Sequence, residues 1–267
     1  EGPKILKSKF IKANPKIDDK NFLKNIILSF NPILKEESKS LSVILEECDF
    51  LISELKIDDN LEKNSYVSWY ESNILNSQFK KFYDTYYYPL FNQNLLTISV
   101  YTDLKEKILK YSSELGYNLI YFSAGIFSAS TLIRQIYKVN DFFVWKIDKN
   151  NYHHLIHFQD KTIKSYYKMK KSPKKIKEIL KIGETNIYIK ELLYSVLVNK
   201  KDFNEMENIF VYQTSGSLKT IREIVSLKSK RINMVDISTL FDSNNEKSVF
   251  QSMKYLENGI SFRGIDV

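Results

Sequence analysis

The sequence contains one cysteine, seven glycines, five prolines and three histidines in 267 residues. A single cysteine, Cys48, excludes an intrachain disulfide, so we expect a reducing, cytoplasmic setting. So few glycines exclude collagen-like and low-complexity segments and long flexible linkers. No apolar run approaches the roughly 20 residues that cross a bilayer, and no signal peptide opens the sequence. We therefore expect a soluble globular protein.

What the sequence does contain is 43% hydrophobic and 27% charged residues, with a formal net charge of +8. Basic residues concentrate in one stretch: Lys161, Lys164, Lys168, Lys170, Lys171, Lys174, Lys175 and Lys177. A nucleic-acid-binding module would use such a patch. Lysine is frequent over the whole chain, however, and only four residues are arginine. The composition favours a solvated basic face, near anionic lipid or an acidic partner, over nucleic-acid binding.

Apolar patterns predict strands that alternate with helices, which is typical of an α/β protein. The predicted strands cover residues 42–45, 95–100, 118–121, 209–212 and 232–237. The predicted helices cover residues 102–115, 128–137, 172–183, 185–198 and a stretch that begins at 248. Thr102 is the expected N-cap of the first of these helices, and Gly116 its C-terminal stop.

The stretch FFVWKIDKNNYHHLIHF, residues 142–158, predicts two strands joined by a tight turn. That turn can bind a phosphate, offer imidazoles to a metal, or connect two strands. Adjacent strand residues point to opposite faces, and positions four apart lie roughly 13 Å from one another. His153, His154 and His157 are therefore predicted to be ordinary turn and strand-face side chains, and no metal site is predicted.

Two further groups of residues allow more than one interpretation. Glu46, Glu47, Cys48 and Asp49 follow a predicted strand and suggest paired carboxylates or a thiol nucleophile, although a surface turn is the favoured interpretation. The aromatic run from Phe79 to Phe91 is spaced for one side of a helix that ends before Pro89. Core packing is the first interpretation of this run. A peptide-binding patch of Tyr83, Tyr86 and Tyr87 is the alternative.

Three stretches together resemble the PilM and GspL families, the cytoplasmic actin-like assembly proteins of type IV pili and type II secretion. They are residues 95–137, the strand–turn–strand at 142–158, and IFVYQTSGSLKTIREIV followed by KRINMVDIS. The resemblance implies a two-lobed actin-like (ribonuclease H-like) α/β fold with mixed sheets flanked by helices. Lobe I would cover 1–138, with an inserted subdomain at about 48–117, and lobe II would cover 139–267. The terminal helix would return toward lobe I. The family's first phosphate hairpin is not recognisable, and the sequence is expected to begin after it.

The family's active members carry an aspartate, a hydrophobic residue and a glycine in the turn where this chain has Lys146, Ile147 and Asp148. Glycine lets backbone N–H groups approach phosphate, and the acid holds Mg²⁺ through water. Lys146 removes the acid, and Asp148 places a negative charge at the phosphate position. The resemblance thus implies a degenerate nucleotide site formed by Lys146, Asp148, Asn150, Ser215, Gly216 and Ser217. We expect no cofactor and no catalysis, with ATP and Mg²⁺ as the alternative.

The resemblance implies a non-catalytic cytoplasmic scaffold at the inner-membrane face of a pilus or secretion machine. Such a scaffold would link a bitopic inner-membrane protein to the assembly ATPase, and a homo-oligomer or ring is also compatible with this role. An extended peptide of the partner would dock on strand edges and apolar pockets. An ATP-binding actin-like switch is the first alternative, and a nucleic-acid-binding module that uses the lysine-rich stretch is the second.

Overall fold

The architecture comes from a computed structural model, which describes residues 21, 22, 24, 25, 40–58, 60–75, 77–148, 151–160, 162–171, 176–183, 208–213 and 232–234. The strands are β1 (Ser40–Leu45), β2 (Phe50–Leu55), β3 (Tyr83–Pro89), β4 (Leu95–Tyr101), β5 (Asn118–Ala124), β6 (Asp141–Ile147), β7 (Tyr152–Gln159), β8 (Thr162–Lys171), β9 (Ile176–Gly183), β10 (Ile209–Gln213) and β11 (Ile232–Met234). The helices are α1 (Lys63–Asn73), α2 (Ser77–Phe82), α3 (Thr102–Glu114) and α4 (Gly125–Tyr137). A 3-10 turn, Glu47–Asp49, separates β1 from β2. Among the described helices, none has the length and apolar character needed to cross a membrane.

The strands form three sheets flanked by helices, so the predicted mixed α/β class is confirmed. The largest sheet has the order β11-β10-β6-β7-β8-β9. Strands β6 to β9 pair antiparallel with one another, whereas β10 runs parallel to β6, and β11 runs parallel to β10. A second, antiparallel sheet has the order β2-β4-β3, and a third pairs β1 with β5 in parallel.

Local sequence explains where helix α3 begins and ends. Gly116 has φ +77°, a left-handed conformation that glycine adopts without steric cost. The Tyr117 amide donates to the Ser112 carbonyl, and the Gly116 amide donates to the Ser113 carbonyl, both at 2.9 Å. This is the Schellman pattern of a helix C-terminus, so the predicted stop at Gly116 is confirmed. Thr102 is instead the first helical residue, because Tyr101 holds the N-cap position.

The helix predicted over residues 172–183 is wrong, because β9 occupies Ile176–Gly183 and pairs antiparallel with β8. A register shift between Lys168 and Met169 interrupts the alternation of the strand pair. Ile179 is consequently 45% exposed, whereas Ile182 is buried. A bulged strand therefore produced an apolar spacing that imitates a helix.

The helix predicted for the tyrosine run is also wrong beyond Phe82, where α2 ends and β3 begins. Tyrosine favours strands, and Tyr83–Pro89 pairs with β4 along its whole length. Two further predicted elements, the helices at 185–198 and from 248, lie outside the described residues.

One apolar core joins the three sheets. It includes Leu96 and Val100 from β4, Ile133 from α4, and Trp145 from β6, all of them buried. The three-stranded sheet also reaches β8 directly, since the Phe91 amide donates to the Ile163 carbonyl at 2.8 Å. The end of β1, the start of α4 and the β6–β7 hairpin are therefore held in fixed positions around the Lys146 side chain.

Candidate functional site

Lys146 is the central residue of the site and is fully buried, at 0% exposure. It lies near the end of β6, opposite His154 of β7. Its Nζ is 2.6 Å from Glu47 Oε2 and 3.0 Å from Glu46 Oε2. An ammonium group taken out of water requires such partners, because an unpaired buried charge is strongly unfavourable.

Glu47 binds the ammonium with one oxygen and a helix with the other. It is 2% exposed, and its Oε1 accepts a hydrogen bond from the Ile126 amide at 2.6 Å. Ile126 lies in the first turn of α4, where free amides and the helix dipole favour a negative charge. Burial acts to raise the pKa of Glu47, but the Lys146 ammonium, His154 and the Ile126 amide outweigh it and lower that pKa. Glu47 is therefore held as a carboxylate.

The surface turn predicted for Glu46 to Asp49 is wrong for Glu47. Asp49 is exposed and Glu46 is partly exposed, whereas Glu47 points into the core. Its partner Lys146 lies 99 positions further along the chain, so the sequence alone did not reveal the pair. The available signal was two adjacent acids directly after a predicted strand.

The β6–β7 turn is built around Asp148. Its Oδ1 accepts from the Tyr152 amide at 3.0 Å, and the Asp148 amide donates back to the Tyr152 carbonyl at 2.9 Å. Asn151 closes the turn with φ +57°. The predicted strand–turn–strand is thus confirmed, and the Asp148 carboxylate has a local role in holding the turn together.

Four of the six residues predicted for a degenerate nucleotide site, Asn150, Ser215, Gly216 and Ser217, lie outside the described residues. The other two, Lys146 and Asp148, both lie beside His154. His154 Nε2 is 3.5 Å from Asp148 Oδ2, and β7 places His154 opposite Lys146. Strand β10 pairs with β6 so that Gln213, its last residue, lies opposite Ile147.

The three histidines are buried and bonded to other side chains. His153 Nδ1 accepts from the Trp145 indole at 3.0 Å, and burial, aided by Lys171, lowers the pKa of His153 to about 4. His154 Nδ1 is 2.9 Å from the Tyr166 hydroxyl, and His157 Nε2 is 2.7 Å from Asp141 Oδ1. In the part of the chain that the structure describes, no three His, Cys, Asp or Glu side chains are grouped as metal ligands.

The tyrosines predicted as a partner patch belong to β3, an edge strand. Strand alternation places Tyr83 and Tyr87 on one face and Tyr86 on the other. Tyr87 packs against a small core cluster, and burial and the Glu71 carboxylate raise its pKa. Tyr86 is 36% exposed, and the Lys105 ammonium lies 5.3 Å from its ring centre.

A cavity of about 380 Å³ lies beside this strand. Its lining is Glu71, Leu75, Lys80, Tyr83, Asp84, Thr85, Tyr86 and Lys105. Lys105 and Asp84 form an ion pair at 2.6 Å, which fixes one wall of the cavity. The structure thus places Tyr83 and Tyr86 at one cavity, and Tyr87 in the packing beneath the strand.

Stacked aromatic rings connect the β3 edge to the Lys146 site. The Tyr88 ring stacks on Phe127 of α4, and Phe127 stacks on Tyr166 of β8, each pair with centroids 6.4 Å apart. Tyr166 in turn bonds His154. The edge strand and the buried ion pair therefore share one packed network.

No family model matches the sequence, and no curated protein matches it. Among solved structures, the chain is similar to the cytoplasmic domain of EpsL, an inner membrane component of the type II secretion system of Vibrio cholerae. The similarity has a TM-score of 0.39 and 9% sequence identity, and it covers 88% of this chain and 79% of that chain. At these values the similarity does not establish a common fold.

Proposed function

We propose that the protein is a non-catalytic scaffold of a type II secretion or type IV pilus machine, in which a carboxylate of the chain replaces a bound nucleotide phosphate. The observation that carries this proposal is the contact of Glu47 with both the Lys146 ammonium and the Ile126 amide. Lysine ammonium groups and helix N-terminal amides are the groups that proteins use to bind phosphate. Here the Glu47 carboxylate already satisfies both.

A phosphate would have to displace Glu47 from its two partners in order to bind at this position. The displaced carboxylate would leave a site where it is almost completely buried. Its charge would then lie beside a phosphate of the same sign, which is unfavourable. The metal-holding acid expected at position 146 is also replaced by lysine, so no Mg²⁺ ligand is supplied from that residue.

The proposed fold is the two-lobed actin-like arrangement, with lobes at 1–138 and 139–267. The six-stranded sheet supports it, because antiparallel strands β6 to β9 and parallel strands β10 and β11 make it a mixed sheet, as the resemblance implies. The proposed insertion at about 48–117 contains the whole β2-β4-β3 sheet and helices α1 to α3. That this stretch contains a whole sheet supports the proposal of an insertion.

The proposed partners are a bitopic inner-membrane protein and the assembly ATPase, with the scaffold at the inner-membrane face. Strand β3 supports the first of these, since it is an edge strand beside a cavity and bears the exposed Tyr86 and Tyr88. An extended peptide adds to such an edge through main-chain hydrogen bonds and places side chains in adjacent pockets.

The nucleotide half of the proposal is tested by thermal unfolding with and without saturating Mg²⁺-ATP. A ligand of the native state raises the melting temperature by mass action. We expect no shift for the wild-type protein. A rise of several degrees would overturn the proposal and favour the ATP-binding switch.

The partner half is tested by affinity purification from membranes of the source organism, with Tyr86→Ser and Leu51→Ser as matched variants. Leu51 is 49% exposed on β2, at the opposite edge of the same sheet, and serves as the control. We expect a small bitopic protein and a secretion-type ATPase to co-purify with wild type and Leu51→Ser, and the bitopic protein to be lost with Tyr86→Ser. If neither protein co-purifies with the wild type, the scaffold role is wrong.

A further inference from the structure

The end of the β8–β9 hairpin carries a lysine face made of Lys168, Lys170 and Lys177. Lys170 lies directly opposite Lys177 in the strand register. Like charges in directly opposed positions destabilise a sheet unless another group compensates them. In the described parts of the chain, none of the three lysines forms an ion pair with an acidic side chain. The acid of β9, Glu178, lies opposite Met169 and therefore on the other face.

The ring of Tyr152 on β7 contacts two of these lysines and holds their ammonium groups in position. The Lys168 and Lys170 ammonium groups lie 5.2 Å and 4.8 Å from the centre of its ring. Both contacts are of cation–π type, which places the two ammonium groups over the same ring. Neighbouring strands lie about 4.8 Å apart, and Lys177 is directly opposite Lys170, so Lys177 extends the same array. The result is a group of positive charges near the edge of the sheet that no acidic side chain of the described residues pairs with.

Next to the lysine face, β9 exposes an apolar side chain. Ile179 is 45% exposed because the register shift between Lys168 and Met169 removes it from the alternation of the strand. Strand β9 is the outermost strand of the described six-stranded sheet. Among the described residues, a large exposed apolar group and several lysines therefore lie side by side on the β8–β9 hairpin.

We infer that this edge docks on an anionic lipid membrane surface. Lysines near an anionic leaflet are each attracted to it, and an apolar side chain beside them enters the boundary between headgroups and acyl chains. Nucleic-acid recognition favours the planar, forked guanidinium of arginine, which this hairpin lacks. The inference depends on these described side chains and not on the proposed scaffold role, so each can fail without the other.

The test is sedimentation of the full chain with vesicles of phosphatidylcholine alone, or with about 30% phosphatidylglycerol, at low and high salt. Lys168→Gln/Lys170→Gln/Lys177→Gln removes the lysine face. Lys56→Gln/Lys81→Gln/Lys110→Gln removes the same charge from three exposed lysines elsewhere and is the matched control. We expect wild type and control to bind only vesicles with anionic lipid and to be released at about 1 M salt, where the screening length is about 3 Å.

For the hairpin variant we expect partitioning onto anionic vesicles to fall by roughly two orders of magnitude, since each of the three lysines near the surface contributes about fivefold. Equal losses in the two triple variants would overturn the inference, as would binding to phosphatidylcholine alone. Tighter binding to a DNA or RNA duplex than to the vesicles would assign the face to a nucleic acid instead. Should the triple variant lose its cooperative melting transition, Lys170→Gln/Lys177→Gln leaves Lys168 on Tyr152 and provides the same comparison.

Discussion

Replacing Lys146 by methionine tests how strongly the buried ion pair contributes to the fold. Methionine is close to lysine in length and apolar, so it fills most of the same volume without the charge. Glu47 then remains 2% exposed, with the Ile126 amide as its hydrogen-bond donor and no ammonium to neutralise it. Removal of one partner of a buried pair costs about 3–5 kcal/mol. We expect Lys146→Met to lower the free energy of unfolding by that amount at pH 7.

Two further variants separate the charge from the packing. Glu46→Gln is the control, because Glu46 contacts the same ammonium at 3.0 Å but its side chain is 45% exposed. A pair screened by solvent contributes less than about 1 kcal/mol, so this variant is expected to stay within that range. In Lys146→Met/Glu47→Gln, the amide oxygen still accepts from Ile126 and no buried charge remains. We therefore expect the double variant to recover at least half of the loss seen in Lys146→Met.

The assay is chemical unfolding followed by fluorescence, since Trp145 is fully buried one position before Lys146 and bonds His153. The pH dependence gives a second check. Without Lys146, burial raises the pKa of Glu47 in the folded state, so protonation relieves the variant as pH falls from 7 toward 5. The gap between wild type and Lys146→Met should narrow over that window. A cost below about 1 kcal/mol, or a gap independent of pH, would refute the assignment of Glu47 as a buried carboxylate.

Two other predictions concern groups elsewhere in the six-stranded sheet. The pKa of His153 is lowered from 6.5 to about 4, so between these pH values the unfolded chain binds a proton that the folded chain does not. We therefore expect this residue to lower the free energy of unfolding by up to about 3 kcal/mol as the pH decreases from 6.5 to 4. Urea unfolding of wild type and His153→Gln at several pH values measures this loss. Gly183 has φ +80°, and a Cβ there would overlap the Lys164 carbonyl oxygen. We expect Gly183→Ala to lower the free energy of unfolding by about 2–4 kcal/mol, measured by thermal unfolding. A neutral effect would show that the β8–β9 pairing adapts.

Much of the fold was predictable where one element's local pattern agrees with its tertiary role. The α3 prediction succeeded because Gly116 has to end the helix whatever packs around it. The β6–β7 hairpin succeeded because two apolar runs flank a short polar turn. The prediction for residues 172–183 failed because the bulge at Ile179 is a property of the β8–β9 pair and not of β9 alone. Local periodicity contains no information about such a shift in register.

For the candidate site, the sequence predicted the unusual residue in the turn but not its buried partner. The sequence indicated that Lys146 is incompatible with a phosphate turn, since a lysine stands where the resemblance requires an acid. It did not indicate that Lys146 would be fully buried, because that depends on a carboxylate 99 positions away. Single-sequence patterns describe neighbours along a helix or strand, whereas a buried ion pair is specified by how separate elements pack.

The contacts of Glu47 explain how the strand ends and the start of α4 are held together without a bound phosphate. In a phosphate site, the anion would hold a lysine and a helix N-terminus together from outside the chain. In this protein, the Glu47 carboxylate joins β1, β6 and α4 through one ammonium and one amide. This internal anion is always present, so the arrangement does not depend on ligand concentration. A protein that has to present one fixed surface to its partners benefits from that independence, which is the reason a permanent ion pair fits a scaffold better than a switch.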